Sequence, residues 1–168
     1  MLKQGCRALI IMGLILVMAG AAAADNGYSS PMGEPMWGPS REQFRSSREQ
    51  AISHYSYCPS GGCVVRLEGV ELKPARPRKG DTIAMTTSYT ILTPEEIAVP
   101  VTISHEIFYQ GKSLGQVKSM DTRHYNGSWD RQTDFSLPAN ARPGTYTLVT
   151  RVTTGYGSDE KKVEFTVD

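Results

Sequence analysis

The sequence has no excess of positive or negative charge. Lys and Arg number 18 against 17 Asp and Glu over 168 residues, and 16 basic residues remain once Lys3 and Arg7 of the predicted leader are set aside. Aromatic residues make up only 8% of the chain, and no cluster of Lys or Arg is interleaved with them. A nucleic-acid groove or a polybasic membrane face requires such a cluster, so we expect neither as a partner.

Residues in an arrangement suited to catalysis are also missing. A nucleophile needs a neighbouring base that a third group orients, but His105 falls on the apolar face of a predicted strand, and His124 has no serine in a sharp turn near it. Glu95 and Glu96 are adjacent in a predicted turn, where their side chains point apart, unlike the paired carboxylates of a glycosidase. We therefore predict that the protein is not an enzyme and has no cofactor.

Cysteine is scarce. Cys6 lies in the predicted leader, so the mature chain keeps only Cys58 and Cys63, which four residues separate. Thiols of exported proteins tend to oxidise, and a local disulfide is the expected state of this pair. Closing so small a loop would stabilise the protein by roughly 2 kcal/mol in the chain-entropy model, so the disulfide would hold a turn more than the whole fold.

Metal ligands are few for the same reason. The disulfide would withdraw both thiolates from any zinc site shared with His54. Copper(I) prefers soft ligands, and thioether groups near His54 are a less favoured alternative. The methionines concerned are Met32 and Met36. We accordingly predict no metal site.

The N-terminal residues contain the one long apolar run of the sequence. Lys3 and Arg7 come first, and an apolar stretch then runs from Ala8 to Ala24 and ends in small residues, which is typical of a bacterial secretory signal peptide. The stretch is shorter than the roughly 20 residues of a membrane-spanning helix. We predict a signal peptide over residues 1–24 and a mature protein that is periplasmic or secreted and has no membrane span.

The next two segments differ from the rest of the chain. Residues 25–39 are rich in Gly, Pro, Ser and Met, which predicts a flexible arm. Ser40 and Gln43 then match the Ser-x-x-Gln capping box of a helix start. Apolar residues follow near one helical face, at Phe44, Ala51, Ile52 and Tyr55. We predict that residues 40–63 form a short amphipathic helix and the disulfide turn.

Residues 64–168 predict an all-β domain. β-Branched residues and period-two alternation prevail there, and turn residues recur at the spacing of an antiparallel sandwich. The alternation predicts seven strands, near residues 64–73, 83–91, 99–109, 113–121, 129–137, 146–152 and 163–167.

The connection before the sixth predicted strand ends in Pro143-Gly144-Thr145-Tyr146. With this connection, the segment Val64 to Asp168 resembles the bacterial immunoglobulin-like and fibronectin type III-like domains. The resemblance implies a seven-stranded antiparallel immunoglobulin-like sandwich in which the Tyr146 hydroxyl returns to the backbone upstream and forms a tyrosine corner. It implies no particular function, because this architecture serves many unrelated roles.

Strand direction predicts where a binding surface lies. Antiparallel neighbours alternate in direction, so the turns near residues 58–63, 92–98, 124–128 and 154–159 collect at one end of the sandwich. Loops at the end of a rigid sandwich often carry recognition, and tyrosine supplies stiff contact area. The candidate partner-binding residues at this end are Tyr57, His124, Tyr125 and Tyr156.

These observations favour an exported, non-enzymatic module that binds another envelope or extracellular protein, as an accessory subunit of an assembly. The alternative is a carbohydrate-binding sandwich, or less favoured a copper-binding one. A glycan site would need several coplanar exposed aromatic rings, and Tyr125, Trp129 and Tyr156 are the residues that could supply them.

Overall fold

The structure is a computed structural model that describes residues 33, 35–58, 60, 62–115 and 117–168. The predicted signal peptide and residues 25–32 and 34 of the predicted arm lie outside the described residues. The described residues form nine strands and one helix. In chain order they are β1 (Met36–Ser46), α1 (Arg48–Tyr55), β2 (Val64–Lys73), β3 (Thr82–Leu92), β4 (Val99–Tyr109), β5 (Lys112–Ser113), β6 (Lys118–His124), β7 (Gly127–Ser136), β8 (Gly144–Thr154) and β9 (Gly157–Val167).

The strands form two antiparallel sheets, which confirms the predicted all-β sandwich. One sheet has the order β1-β7-β3-β2. The other has the order β4-β8-β9, and both β5 and β6 pair with the remaining edge of β4. The alternation of apolar and polar residues places one face of each long strand between the sheets, as in Ile83, Met85, Thr87, Tyr89 and Ile91 of β3, which are all fully buried.

The prediction of seven strands is corrected in two places. The first is β1, which no predicted strand covers. The second is the predicted strand over residues 113–121, which is divided into β5 and β6. Between them the Leu114 side chain turns into the core, its backbone N–H donates to the Ile107 carbonyl at 2.9 Å, and Gly115 adopts a φ of +102°. This bend interrupts the ladder with β4.

The prediction of a helix from Ser40 is wrong. Residues 36–46 are extended and pair with β7, with Ser40 opposite Thr133, so this part of the predicted arm and helix belongs to the sandwich. The helix starts instead after Ser47. There the Gln50 N–H donates to the Ser47 hydroxyl at 3.3 Å, and the Ser47 N–H donates to the Gln50 side-chain oxygen at 2.9 Å. The capping-box pattern is therefore real but applies seven residues later.

Tyr146 makes the hydrogen bond that the resemblance implies. Its ring is buried and its hydroxyl donates to the Arg142 carbonyl oxygen at 2.7 Å. The ring also packs on Phe165, with centroids 5.5 Å apart. The connection between β7 and β8 is thereby attached to the core at the lower end of the sandwich, the end opposite to the start of β2.

The interior consists of two apolar clusters with a polar layer between them. The lower cluster includes Ile83, Phe135, Tyr146, Leu148 and Phe165, and the upper cluster includes Leu67, Tyr89, Ile91, Ile103 and Val152. Each of the four central strands has a buried polar residue on its inward face at the same level, and β7 has a second one, Thr133, next to it. The residues of this polar layer are Thr87, Arg131, His105 and Thr150. Thr87 pairs with Arg131 across one sheet, and His105 with Thr150 across the other.

His105 is the titratable group of this layer with the most perturbed environment. Its Nδ1 lies 3.0 Å from the Thr150 hydroxyl, its ring stacks on Trp37, and Nε2 has no hydrogen-bond partner among the described residues. Burial lowers the pKa of His105 to about 3, and the charges of Arg131 and Lys118 act in the same direction. The ring is therefore neutral at pH 7.

We expect His105 to make folding sensitive to mild acid. Below its ordinary pKa of 6.5 the unfolded chain binds a proton that the folded ring does not, so the free energy of unfolding falls as the pH decreases. Between pH 6.5 and 5 the expected loss is roughly 2 kcal/mol. Urea unfolding at several pH values should show this slope in the natural sequence and a reduced slope in His105→Gln. Equal slopes in the natural sequence and in His105→Gln would contradict this expectation.

Candidate functional site

Four connections meet at the upper end of the sandwich. The register sets Val64 of β2 opposite Leu92 of β3, Val99 of β4 opposite His124 of β6, and Thr154 of β8 opposite Gly157 of β9. The turn before β2 and the connections β3–β4, β6–β7 and β8–β9 therefore share one end. We call residues 56–58, 60, 62–63, 93–98, 125–126 and 155–156 the upper surface.

The buried side chain of Asn126 fixes two of these connections to each other. Its Oδ1 accepts from the Thr93 N–H at 3.0 Å and from the Thr93 hydroxyl at 3.1 Å. Its amide nitrogen donates to the carbonyl oxygens of Thr93 and Glu95, both at 2.9 Å. All the donors and acceptors of one amide are thus used between the β3–β4 and β6–β7 connections. The neighbouring Tyr125 is further held by the Trp129 indole N–H, which donates to its carbonyl oxygen at 3.3 Å.

Large apolar side chains project from this fixed backbone into solvent. Tyr125 is 64% exposed, Ile97 is 58% exposed and Tyr156 is 43% exposed. Ile97 was missed by sequence reasoning because it lies in a charged turn outside any alternating pattern. Its only signal was that it is the single large apolar residue between the Glu95-Glu96 pair and the start of β4.

Tyr156 and Tyr57 border the same acidic group. Partial loss of solvent raises the pKa of the Tyr156 hydroxyl, and the nearby Glu95 carboxylate raises it further. Partial loss of solvent likewise raises the pKa of Tyr57, with contributions from Cys63 and Glu95. Both rings are thus near the β3–β4 connection. The Tyr57 ring is half-buried, and its hydroxyl donates to the Gly62 carbonyl oxygen across the turn.

The predicted Cys58–Cys63 disulfide is not present in the structure. Both residues are free and exposed. Their turn is closed by the hydrogen bond from Tyr57 to Gly62 instead, and the Cys58 sulfur lies 3.0 Å from the Ser60 hydroxyl. Hydrogen bonding to Ser60 lowers the pKa of Cys58, whereas partial burial and the Glu95 charge raise the pKa of Cys63.

His124 does not belong to the upper surface, although the sequence predicted it there. Its side chain is 5% exposed and points between the sheets, where it joins a group that we call the carboxylate cluster. The cluster consists of Glu42 from β1, Tyr89 from β3, His124 from β6 and Arg131 from β7.

One oxygen of Glu42 accepts hydrogen bonds from all three other members of the carboxylate cluster. Tyr89 donates to Oε1 at 3.0 Å, Arg131 Nε donates at 2.8 Å, and His124 Nε2 lies 2.9 Å from the same atom. Burial by itself would raise the pKa of Glu42, but the hydrogen bonds and charges of Arg131 and His124 outweigh it and lower the pKa. Burial and the Glu42 charge raise the pKa of Tyr89 far above its usual value.

The carboxylate cluster is a network of hydrogen bonds and ion pairs that joins the two sheets. It does not form a surface to which a partner could bind. Glu42 reaches from the edge strand β1 into the gap, where it contacts a residue of the opposite sheet, His124. Trp129 covers the imidazole with a ring separation of 4.1 Å, and Phe44 packs on Trp129 at 5.1 Å. Trp129 is therefore not free to form a flat glycan platform with Tyr125 and Tyr156.

The residues considered for copper are not brought together. Met32 lies outside the described residues. Met36 is exposed at the lower end, opposite Ser136, whereas His54 lies in the last turn of α1 beside β2. In the part of the chain that the structure describes, no three His, Cys, Asp or Glu residues are placed to hold one metal ion. The helix described there is too short and too polar to cross a membrane.

No protein-family model matches the sequence, and no curated protein matches it. Among solved structures, a β-glucosidase from Erythrobacter marinus is 10% identical over 63% of this chain and 16% of its own, with a TM-score of 0.48. A conjugative transposon lipoprotein from Bacteroides eggerthii is 12% identical over 62% of this chain and 97% of its own, with a TM-score of 0.39. A cupredoxin domain from Nitrosocaldus yellowstonii is 12% identical over 62% of this chain and 86% of its own, with a TM-score of 0.38. Likenesses this distant assign neither a family nor an activity.

We expect Glu42→Gln to destabilise the protein by about 2 kcal/mol or more, because the buried Arg131 loses its counter-charge and hydrogen bonds to a neutral amide oxygen are weaker than those to a carboxylate. Urea unfolding at pH 7 measures this change. Glu71→Gln, at an exposed position of β2, is the matched control and should change the free energy of unfolding by less than about 0.5 kcal/mol. Equal stability of the two variants would contradict a structural role for the cluster.

Proposed function

We propose that this protein is an exported, non-enzymatic module that binds another envelope or extracellular protein through its upper surface. The observation that supports this most is the combination of exposed Tyr125, Ile97 and Tyr156 side chains with a backbone that Asn126 holds in place. A rigid loop platform loses little conformational entropy on binding, and tyrosines contribute large contact areas with few rotatable bonds.

The positions of the exposed apolar side chains give further support. Tyr125 and Ile97 are each more than half exposed on two connections that are hydrogen-bonded to each other. Exposed apolar side chains that are grouped on a surface commonly mark contact sites, whereas single ones need no explanation. The Glu95 carboxylate beside Tyr156 adds a charged rim, so a partner would offer an apolar patch with a donor or a cation at its border.

We also propose that the sandwich belongs to the immunoglobulin-like class. The strand order β2-β3-β7 in one sheet and β4-β8-β9 in the other resembles that of fibronectin type III-like domains. The tyrosine corner at Tyr146 supports the same class. Strand β1 lies beside β7, at the edge of the first sheet, and is contributed by the segment that precedes the resemblance.

Site-specific photocrosslinking in cells that naturally export the protein tests the upper surface. A photoreactive residue in place of Tyr125 or Tyr156 should yield one discrete crosslinked protein. The same residue in place of Met36, which is 70% exposed at the lower end, is the control and should not. Equal crosslinking from position 36 would overturn the assignment of the surface.

The crosslinked protein can then be purified and its affinity measured. We expect Tyr125→Ala combined with Tyr156→Ala to weaken binding at least tenfold, since each buried tyrosine contact is worth about 1–2 kcal/mol. Met36→Ala should change the affinity less than twofold, and both variants should unfold at the temperature of the natural protein. An unchanged affinity of the double variant would contradict the proposal, and crosslinking to glycan in place of protein would favour the carbohydrate-binding alternative.

A further inference from the structure

A concave site lies on the side of the sandwich, below the upper surface, where β2 and β9 form facing edges and α1 ends. It has a volume of about 510 Å³, which is within the range of small-ligand sites. The helix supplies one wall and the two strands the others. The polar and aromatic residues that line it are His54, Tyr55, Arg66, Glu68, Asp159 and Lys161.

The two acidic residues of this cavity are already occupied by contacts within the fold. The Asp159 carboxylate accepts from the Leu67 N–H and from the Glu160 N–H, each at 2.9 Å. Both oxygens of that carboxylate are therefore engaged with backbone, and Asp159 serves to hold β2 against β9.

The Glu68 carboxylate is also engaged by contacts within the fold. It pairs with the Arg45 guanidinium, accepts from the Tyr55 hydroxyl at 3.0 Å and accepts from the Thr90 hydroxyl. Burial alone would raise the pKa of Glu68, but these hydrogen bonds outweigh it and lower the pKa. Glu68 is thus ionised at neutral pH, and its charge is balanced from outside the cavity by Arg45.

The basic residues of the cavity lack such partners. The Arg66 side chain is 63% exposed, and the nearest carboxylate oxygen, on Asp159, is 4.0 Å away. Lys161 forms no ion pair with the described residues and lies on the face of β9 that is turned toward β2, opposite Thr150. Two positive groups therefore border one cavity, and neither donates a short hydrogen bond to a carboxylate of the described residues.

The helix adds groups that suit a polyol or a ring. The His54 and Tyr55 rings meet edge to face with centroids 4.8 Å apart. The Tyr55 hydroxyl donates to Glu68 at the wall of the cavity. A ligand that fits would carry an oxyanion at one end and hydroxyl groups at the other.

We propose that this cavity binds a small oxyanion-bearing ligand, with Arg66 and Lys161 contacting the oxyanion. Charge-assisted hydrogen bonds from a guanidinium and an ammonium group are the strongest that side chains offer to carboxylate or phosphate. The shared chemistry is an oxyanion, which the carboxylate of an acidic sugar or inorganic phosphate would supply. The proposal is independent of the partner-binding upper surface.

Titration of the full mature chain, followed by ¹⁵N NMR at constant ionic strength, tests it with three probes: glucuronate, inorganic phosphate and glucose. We expect saturable shifts of the Leu67 and Lys161 amides with glucuronate or phosphate and none with glucose. Tighter binding of glucuronate would identify an acidic saccharide, and tighter binding of phosphate would identify a phosphate group. Either result supports an oxyanion site.

Three variants separate the site from general electrostatics. Arg66→Gln and Lys161→Gln should each weaken binding by about fivefold or more, as expected for one lost charge-assisted hydrogen bond. Lys162→Gln removes the same charge from the opposite face of β9, where Lys162 is 67% exposed and lies 3.8 Å from Glu160, and should weaken binding less than twofold.

The proposal is overturned by any of three results. One is the absence of saturable shifts at the cavity up to about 50 mM ligand, well above the millimolar affinity that one or two such contacts provide. Another is equal weakening by Lys162→Gln, and the third is equal binding of glucose. The Tyr125→Ala and Tyr156→Ala double variant should bind the oxyanion normally, so failure of the partner-binding proposal and failure of this one give different results.

Discussion

The placement of the Glu42 carboxylate between the two sheets is the interaction on which the N-terminal part of this structure depends. Three donors from three other strands converge on one oxygen of this side chain. Without that counter-charge Arg131 would be a buried cation beside an apolar cluster, which is strongly unfavourable. Strand β1 is therefore required by the interior of the sandwich, although it precedes the segment that resembles a sandwich domain.

The polar layer extends the same constraint across the core. Arg131 belongs both to the carboxylate cluster and to the level of Thr87, His105 and Thr150 that divides the two apolar clusters. Polar side chains at one level of all four central strands favour one register, because a shift of two residues between β4 and β8 would set Thr150 against Ile103 or Ile107. The lower apolar cluster then packs around Tyr146 and the upper one supports the connections above it.

The two proposed binding sites use this framework differently. The upper surface consists of loop residues whose backbone is held by Asn126, and its exposed groups are apolar. The cavity beside α1 is lined by charged groups of regular elements, and the fold itself engages its carboxylates. A protein partner and a small polar ligand could thus bind at the same time, since the two sites share no residue.

Much of the fold could be predicted from local pattern. The bounds of β2 and β4 agree with the predicted strands, because alternation of apolar and polar residues and turn residues at both ends coincide there. The candidate site was predicted less completely: Tyr125 and Tyr156 are exposed where strand direction placed them, but His124 is buried, and Ile97 was missed. Exposure of a loop residue depends on what packs against it, here Trp129 and Glu42, and no local pattern carries that information.

The tetrapeptide Ser-Arg-Glu-Gln occurs twice, at residues 40–43 and 47–50. The two copies show that local sequence does not always determine secondary structure. Both copies carry the same capping-box signal, yet the first is strand in β1 and the second starts α1. Local sequence determined most of the strands of residues 64–168 and the existence of a capped helix. Only tertiary structure decided which copy is helical. Glu42 of the first copy accepts hydrogen bonds from Arg131, Tyr89 and His124, whereas Glu49 of the second copy is exposed to solvent.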